Sequence, residues 1–149
     1  MKGVIMSIRN GLTAGTLVLS LAVSAVAQNF KIVVHESNPT ASLTKAEASD
    51  MFLKKTVKWK NGAEVQPVDQ KPSSAVRAEF TQAVHGKSLA AVQSYWQQQI
   101  FSGRGVPPQE AAGDRAALEW VQSNIGGIGY VSVDAPVAGF NVKTVALGE

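Results

Sequence analysis

From Leu12 to Val26 the chain carries no charged side chain, and that run decides how much of the sequence is left to fold. Ahead of it, Met1 to Asn10 holds Lys2 and Arg9 and no acidic residue, and behind it comes Ala25-Val26-Ala27. A basic start, a short apolar stretch and an A-x-A site form the pattern of a secretory signal peptide, with cleavage expected after Ala27. A membrane-spanning helix needs about 20 apolar residues. This run is shorter and is interrupted by Gly11, Gly15, Ser20 and Ser24, so removal is expected over anchoring. The domain organisation is then a signal peptide at 1–27 and one domain at 28–149, placed in the periplasm or secreted.

Taking 27 residues from 149 leaves 122, enough for one hydrophobic core. The 14 basic residues fall to 12 once Lys2 and Arg9 are gone, against 11 acidic ones, so the basic pI gives no argument for a nucleic-acid partner. There is no cysteine, which excludes disulfides, a thiolate nucleophile and a cysteine-ligated metal; stability has to come from packing.

Along 28–149, hydrophobic period and punctuation alternate between strand and helix. Phe30 to His35 is a β-branched run that ends in a turn at Glu36-Ser37-Asn38-Pro39. Thr44 and Glu47 have capping-box spacing ahead of Ala48, Met51 and Phe52. Val65 to Asp69 reads as a brief strand whose Pro67 suits an edge position or a strand end. Ser73 or Ser74 is placed to cap a helix with Val76, Phe80 and Val84 on one face, and Ser88 to cap one with Leu89, Val92, Trp96 and Ile100 inward. After a stiff loop at 102–108, Asp114 is expected to cap a helix with Ala117, Leu118, Val121 and Ile125 inward. Strands are expected at Ile128–Val133 and Phe140–Leu147. This alternation gives an α/β domain, a mixed sheet with flanking helices.

Few residues of this chain suit catalytic chemistry. His35 and His85 have no second ligand at metal spacing, and no nucleophile elbow, phosphate-binding glycine loop or H-E-x-x-H occurs. No enzyme, metal or cofactor is expected. Trp59, Trp96 and Trp120 read as core or boundary aromatics and not as a ligand-stacking cage, with Trp59, in a turn, the one left open to exposure. Lys54, Lys55, Lys58 and Lys60 read as a solvated edge. What is left is Gln70 to Phe80, where a strand runs into a helix start. Unpaired amides and a partial positive charge there suit an oxyanion, with Ser73, Ser74 and Arg77 as further donors. The same residues also fit a plain cap beside an arginine paired with an acid.

Four stretches in order resemble the substrate-binding proteins of phosphate-type ABC transporters, a type II periplasmic binding fold. They are Leu43–Lys55 with Trp59 and Asn61-Gly62; Val65–Val68; Ser73–Phe80, similar to the family's Ser-Gly-Thr-Arg-x-x-Phe loop; and Ile125–Val131, similar to its Ile-Gly-Tyr-Val strand. The resemblance implies a single lobe of that fold. It also implies an extracytoplasmic solute-binding protein that takes phosphate or a similar small oxyanion through Ser73, Ser74 and Arg77, with Arg104 as an addition. ABC transporter membrane subunits or another envelope protein would be its partners. Ser74 and Arg77 fall on the motif's serine and arginine, whereas Ala75 and Val76 replace its glycine and threonine. One lobe leaves much of a bound anion in water unless a second copy or a partner supplies the other wall. The alternative is a domain of the same ancestry that has lost its ligand and serves as a protein-interaction or structural module at the cell envelope.

Overall fold

The computed structural model describes residues 28–149; the expected signal peptide at 1–27 lies outside the described residues. Strands β1 (Phe30–His35), β2 (Ser42–Thr44), β3 (Gln66–Gln70), β4 (Gln109–Ala111), β5 (Gly127–Ser132) and β6 (Val142–Gly148) form one six-stranded sheet in the order β2, β6, β1, β5, β3, β4. Helices are α1 (Lys45–Phe52), α2 (Ala75–Phe80), α3 (Leu89–Phe101) and α4 (Asp114–Ser123), and a π-helical turn, Thr81–His85, extends α2. β1 runs antiparallel to β5 and β6, while β3 runs parallel to β5 and β4, so the sheet is mixed as expected.

Both faces of the sheet are covered, and strand alternation divides the core between them. On one face Phe30, Ile32 and Val34 of β1 and Ile128 and Tyr130 of β5 meet Met51 and Phe52 of α1 and Phe80 of α2. On the other, Val33, Val68 and Val131 meet Leu118 and Val121 of α4. Phe80 holds the first cluster together: its ring stacks on Tyr130 at 3.8 Å and 7°, and Phe52 and Phe30 approach it edge-on at 4.7 and 5.5 Å. Burying each such ring contributes about 1.5–3 kcal/mol.

Local chemistry fixes most of the joints. Thr44 Oγ1 accepts from the Glu47 amide at 3.1 Å while the Thr44 amide donates to Glu47 Oε2 at 2.9 Å, completing the capping box at the start of α1. Pro67 lies at the start of β3, the strand-end alternative, in a strand that is interior to the sheet. It is tolerated there because pairing with β4 begins only at Val68, so its missing N–H breaks no ladder. Trp59 belongs to the core, which settles the open question of its exposure: its indole donates to the Gly126 carbonyl at 3.0 Å, which also receives the Gln66 amide at 2.9 Å. A Cβ on Gly126 would fall 1.7 Å from the Glu64 carbonyl oxygen, so the approach requires glycine.

Three expected inward residues or caps are displaced. α4 ends at Ser123, leaving Ile125 70% exposed, and Ile100 on the last turn of α3 is 53% exposed. Asp114 is the first residue of α4 and not its cap; its carboxylate accepts from Gln70 and Ser132 at the ends of β3 and β5 instead. Among the described residues no helix is long and apolar enough to cross a membrane.

Candidate functional site

Because β3, β4 and β5 are parallel, their C-terminal ends share one edge of the sheet, which is where ligands sit in open α/β folds. From that edge β3 leads into α2 and β4 into α4. The Lys71 amide donates to the Ala111 carbonyl at 3.1 Å, which draws the two helix starts together.

Gln70, 2% exposed, organises this end. Its side-chain amide donates to Asp114 Oδ1 at 2.8 Å and to the Tyr130 carbonyl at 3.0 Å; its Oε1 accepts the Ser74 hydroxyl at 2.8 Å. Its backbone amide donates to the Tyr130 hydroxyl at 3.1 Å, and its carbonyl receives the Arg77 guanidinium. The Tyr130 hydroxyl in turn donates to Asp69 Oδ1 at 2.6 Å, and Arg77 Nε lies 3.3 Å from the same oxygen. Burial raises the Asp69 carboxyl above its usual range, with Arg77 and the Tyr130 hydroxyl pulling the other way. Tyr130 is itself pushed well above the ordinary phenol range, by burial first and by Asp69 second.

The residues singled out from the sequence divide in this setting. Ser73 is exposed and Ser74 half-buried at the N-cap of α2, but the Ser74 hydroxyl makes no capping bond because it is given to Gln70. Among the described residues no acceptor reaches the amides of Ala75 or Val76, which leaves two donors open at the helix start. The Arg77 side chain is only 5% exposed and is directed inward, onto Asp69 and the Gln70 carbonyl, with Glu110 3.7 Å away. Arg104 lies exposed in the loop after α3, and among the described residues no hydrogen bond or ion pair joins its side chain to the start of α2. Asp69, Gln70 and Tyr130 were not legible as site residues. Their only signal was a polar pair closing an apolar strand and a tyrosine inside Ile-Gly-Tyr-Val. No cluster of three metal-ligating side chains occurs among the described residues.

His85 closes the extended α2 helix just before Gly86, whose φ of 61° is the left-handed stop. Its Nδ1 shares a hydrogen with Ser49 Oγ at 2.8 Å, and its ring meets Phe80 edge-on. Burial, then the charges of Arg77, Lys87 and Lys55, lowers its pKa from 6.5 to about 4. The folded state therefore resists protonation that the unfolded chain accepts, and this group's contribution is full above about pH 6.5 and declines as pH falls toward 4. Allowing for its partial contact with water, the loss by pH 4 is about 2 kcal/mol. Urea unfolding at pH 7 and pH 4.5 should show a smaller acid loss for His85→Gln than for the parent chain; equal losses would assign the acid sensitivity elsewhere.

No protein-family profile matches the chain, and no curated relative matches it. Solved structures do. A Clostridium perfringens protein assigned as a phosphate ABC transporter substrate-binding protein, with phosphate bound, superimposes at a TM-score of 0.62 with 22% identity over 80% of this chain and 44% of that one. The fold is that of the phosphate-type substrate-binding proteins. An ABC-type phosphate transport receptor from Vibrio cholerae gives 0.62 at 17% identity, over 80% and 46%, and PstS from Borrelia burgdorferi 0.63 at 10% identity, over 80% and 47%. The chain thus spans less than half the length of these phosphate-type structures, and what it shares with them is the architecture of a single lobe.

Proposed function

We propose that this chain is an extracytoplasmic binding lobe of the phosphate-binding type, which takes phosphate or a related oxyanion onto the start of α2 and works beside the membrane subunits of an ABC transporter. One observation carries the reading: the open amides of Ala75 and Val76, next to the exposed Ser73, stand at the shared edge of the parallel strands. A phosphate-bound protein of the same fold supports it. The anion is held by backbone amides and the Ser73 hydroxyl, with charge-assisted bonds from one side only. Arg77 acts from beneath, fixing the β3 to α2 corner through Gln70 and Asp69. The role is that of a carrier and not of a catalyst.

Ala75→Pro tests this with little structural cost. Ala75 is the first helical residue, where proline is welcome, and the preceding Ser74 already has the extended φ of −73° and ψ of 128° that proline asks of its neighbour. The substitution removes one amide donor and leaves the helix. Phosphate should raise the melting temperature of the parent chain by mass action, and the variant should bind about tenfold more weakly or worse by calorimetry, with sulfate and chloride as comparison anions.

One observation favours a second reading. Arg77 is already neutralised by Asp69, with Glu110 close by, as expected of a ligand-free lobe turned protein-interaction module. Negligible heats with phosphate in both proteins would make that module the better description.

A further inference from the structure

Charge is distributed very unevenly over this fold. Between Asp50 and Glu64 the sequence holds Lys54, Lys55, Lys58 and Lys60 and no acid; between Glu79 and Glu110 it holds Lys87 and Arg104 and no acid. The fold brings these two acid-free segments together. Lys54 Nζ reaches the Pro107 carbonyl at 3.5 Å, the Tyr95 hydroxyl donates to the Leu53 carbonyl at 3.2 Å, and Leu53 packs with Val92 and Trp96. Lys55 and Lys87 also lie close enough together to act on the same histidine, His85.

Large apolar side chains stand out from this basic region into water. Phe101 at the end of α3 is 96% exposed, Val106 62%, Val57 56% and Ile100 53%. Val57 and Val106 flank a shallow cavity of about 380 Å³ between the two segments. Scattered single apolar residues need no explanation, but Val57 stands between Lys55 and Lys58 in sequence and Val106 follows Arg104. The Lys54 contact with Pro107 joins the two stretches into one basic and partly apolar surface, with Glu64 at its margin, of the kind that marks an interaction site.

We propose that this face, formed by the segment after α1 and the end of α3 with its following loop, docks on an anionic lipid surface. Exposed apolar side chains lie in stretches that carry an excess of lysine and arginine, the complement of a bilayer interface that offers negative headgroups above hydrocarbon. Shape favours lipid over an acidic protein. Phe101 projects from a helix end almost wholly into solvent, so a protein partner would need a matching recess, whereas an interface admits a single protruding ring. The surface is built from segments other than the start of α2 and does not depend on anion binding there.

The purified full-length chain would be tested by partitioning onto vesicles of phosphatidylglycerol and phosphatidylcholine mixed equally, and onto phosphatidylcholine alone. Binding should appear on the anionic vesicles and weaken as salt shortens the range of the charges. Replacing Lys54, Lys55 and Lys58 by Gln should lower the partition coefficient on the order of a hundredfold. Phe101→Ser, at a site too exposed to affect folding, should lower it roughly tenfold or more. Using the full chain keeps any contribution of residues 1–27 equal in every comparison. Equal partitioning of parent and variants would overturn the proposal. Absence of binding by the parent would also overturn it and leave an acidic protein face as the occupant.

Discussion

Asp69→Ala is expected to melt roughly 10–20 °C below the parent chain, the largest effect of any single polar substitution in this fold. Arg77 is 4% exposed, and a guanidinium cannot shed its proton to escape burial. Asp69 is its near counter-ion at 3.3 Å, and the half-exposed Glu110, at 3.7 Å, replaces only part of it. Removing Asp69 also strips the acceptor from the Tyr130 hydroxyl, so a cation and a phenol lose their partner together, at a cost of about 3–5 kcal/mol. The reverse deletion is gentler: burial already raises the Asp69 carboxyl, so in Arg77→Met it can take up a proton and stay neutral. Scanning calorimetry at pH 7 should rank Asp69→Ala well below Arg77→Met, and the opposite ranking would mean that the pair is not buried as described.

Phe80→Ala should cost about 3–5 kcal/mol in urea unfolding. The ring is fully buried and touches Phe30, Phe52, Tyr130 and His85, so its removal opens a cavity among partners from β1, α1 and β5 that cannot all move inward. Phe80 also anchors α2 by the end opposite its open amides. Loosening it should therefore weaken phosphate binding as well, although Phe80 lies in the core and not at the helix start. A loss below about 1 kcal/mol would mean that the aromatic cluster is not what pins α2 to the sheet.

Much of this architecture is written in local patterns. Thr44 and Glu47 announced the start of α1, and β1 and β5 were plain because β-branched and aromatic residues in unbroken runs bury both faces of a central strand. Strands β2 and β4 were invisible: Ser42–Thr44 and Gln109–Ala111 are three residues each and mostly polar, held only by neighbours distant in sequence. Ile100 and Ile125 fit the helical period yet face water, because period gives a direction around a helix and says nothing of where the sheet stops.

The site was readable in outline only. The strand-to-helix corner with Ser73, Ser74 and Arg77 could be located from residue types, since serines before an apolar period mark a helix start. What those side chains do there was not legible. Ser74 turns to Gln70 and Arg77 to Asp69 because Tyr130, some sixty residues on, carries a hydroxyl into that corner, and no spacing rule encodes it.

The start of α2 as an oxyanion seat is tested most directly by titrating phosphate into nitrogen-15-labelled protein and following each backbone amide by NMR. Progressive, saturating shifts are expected at Ala75 and Val76, with Ser73 beside them; in Ala75→Pro the shifts at Ser73 and Val76 should need about tenfold more phosphate. Amides at 75 and 76 that stay still, while those around the exposed lysines drift without saturation, would contradict that seat.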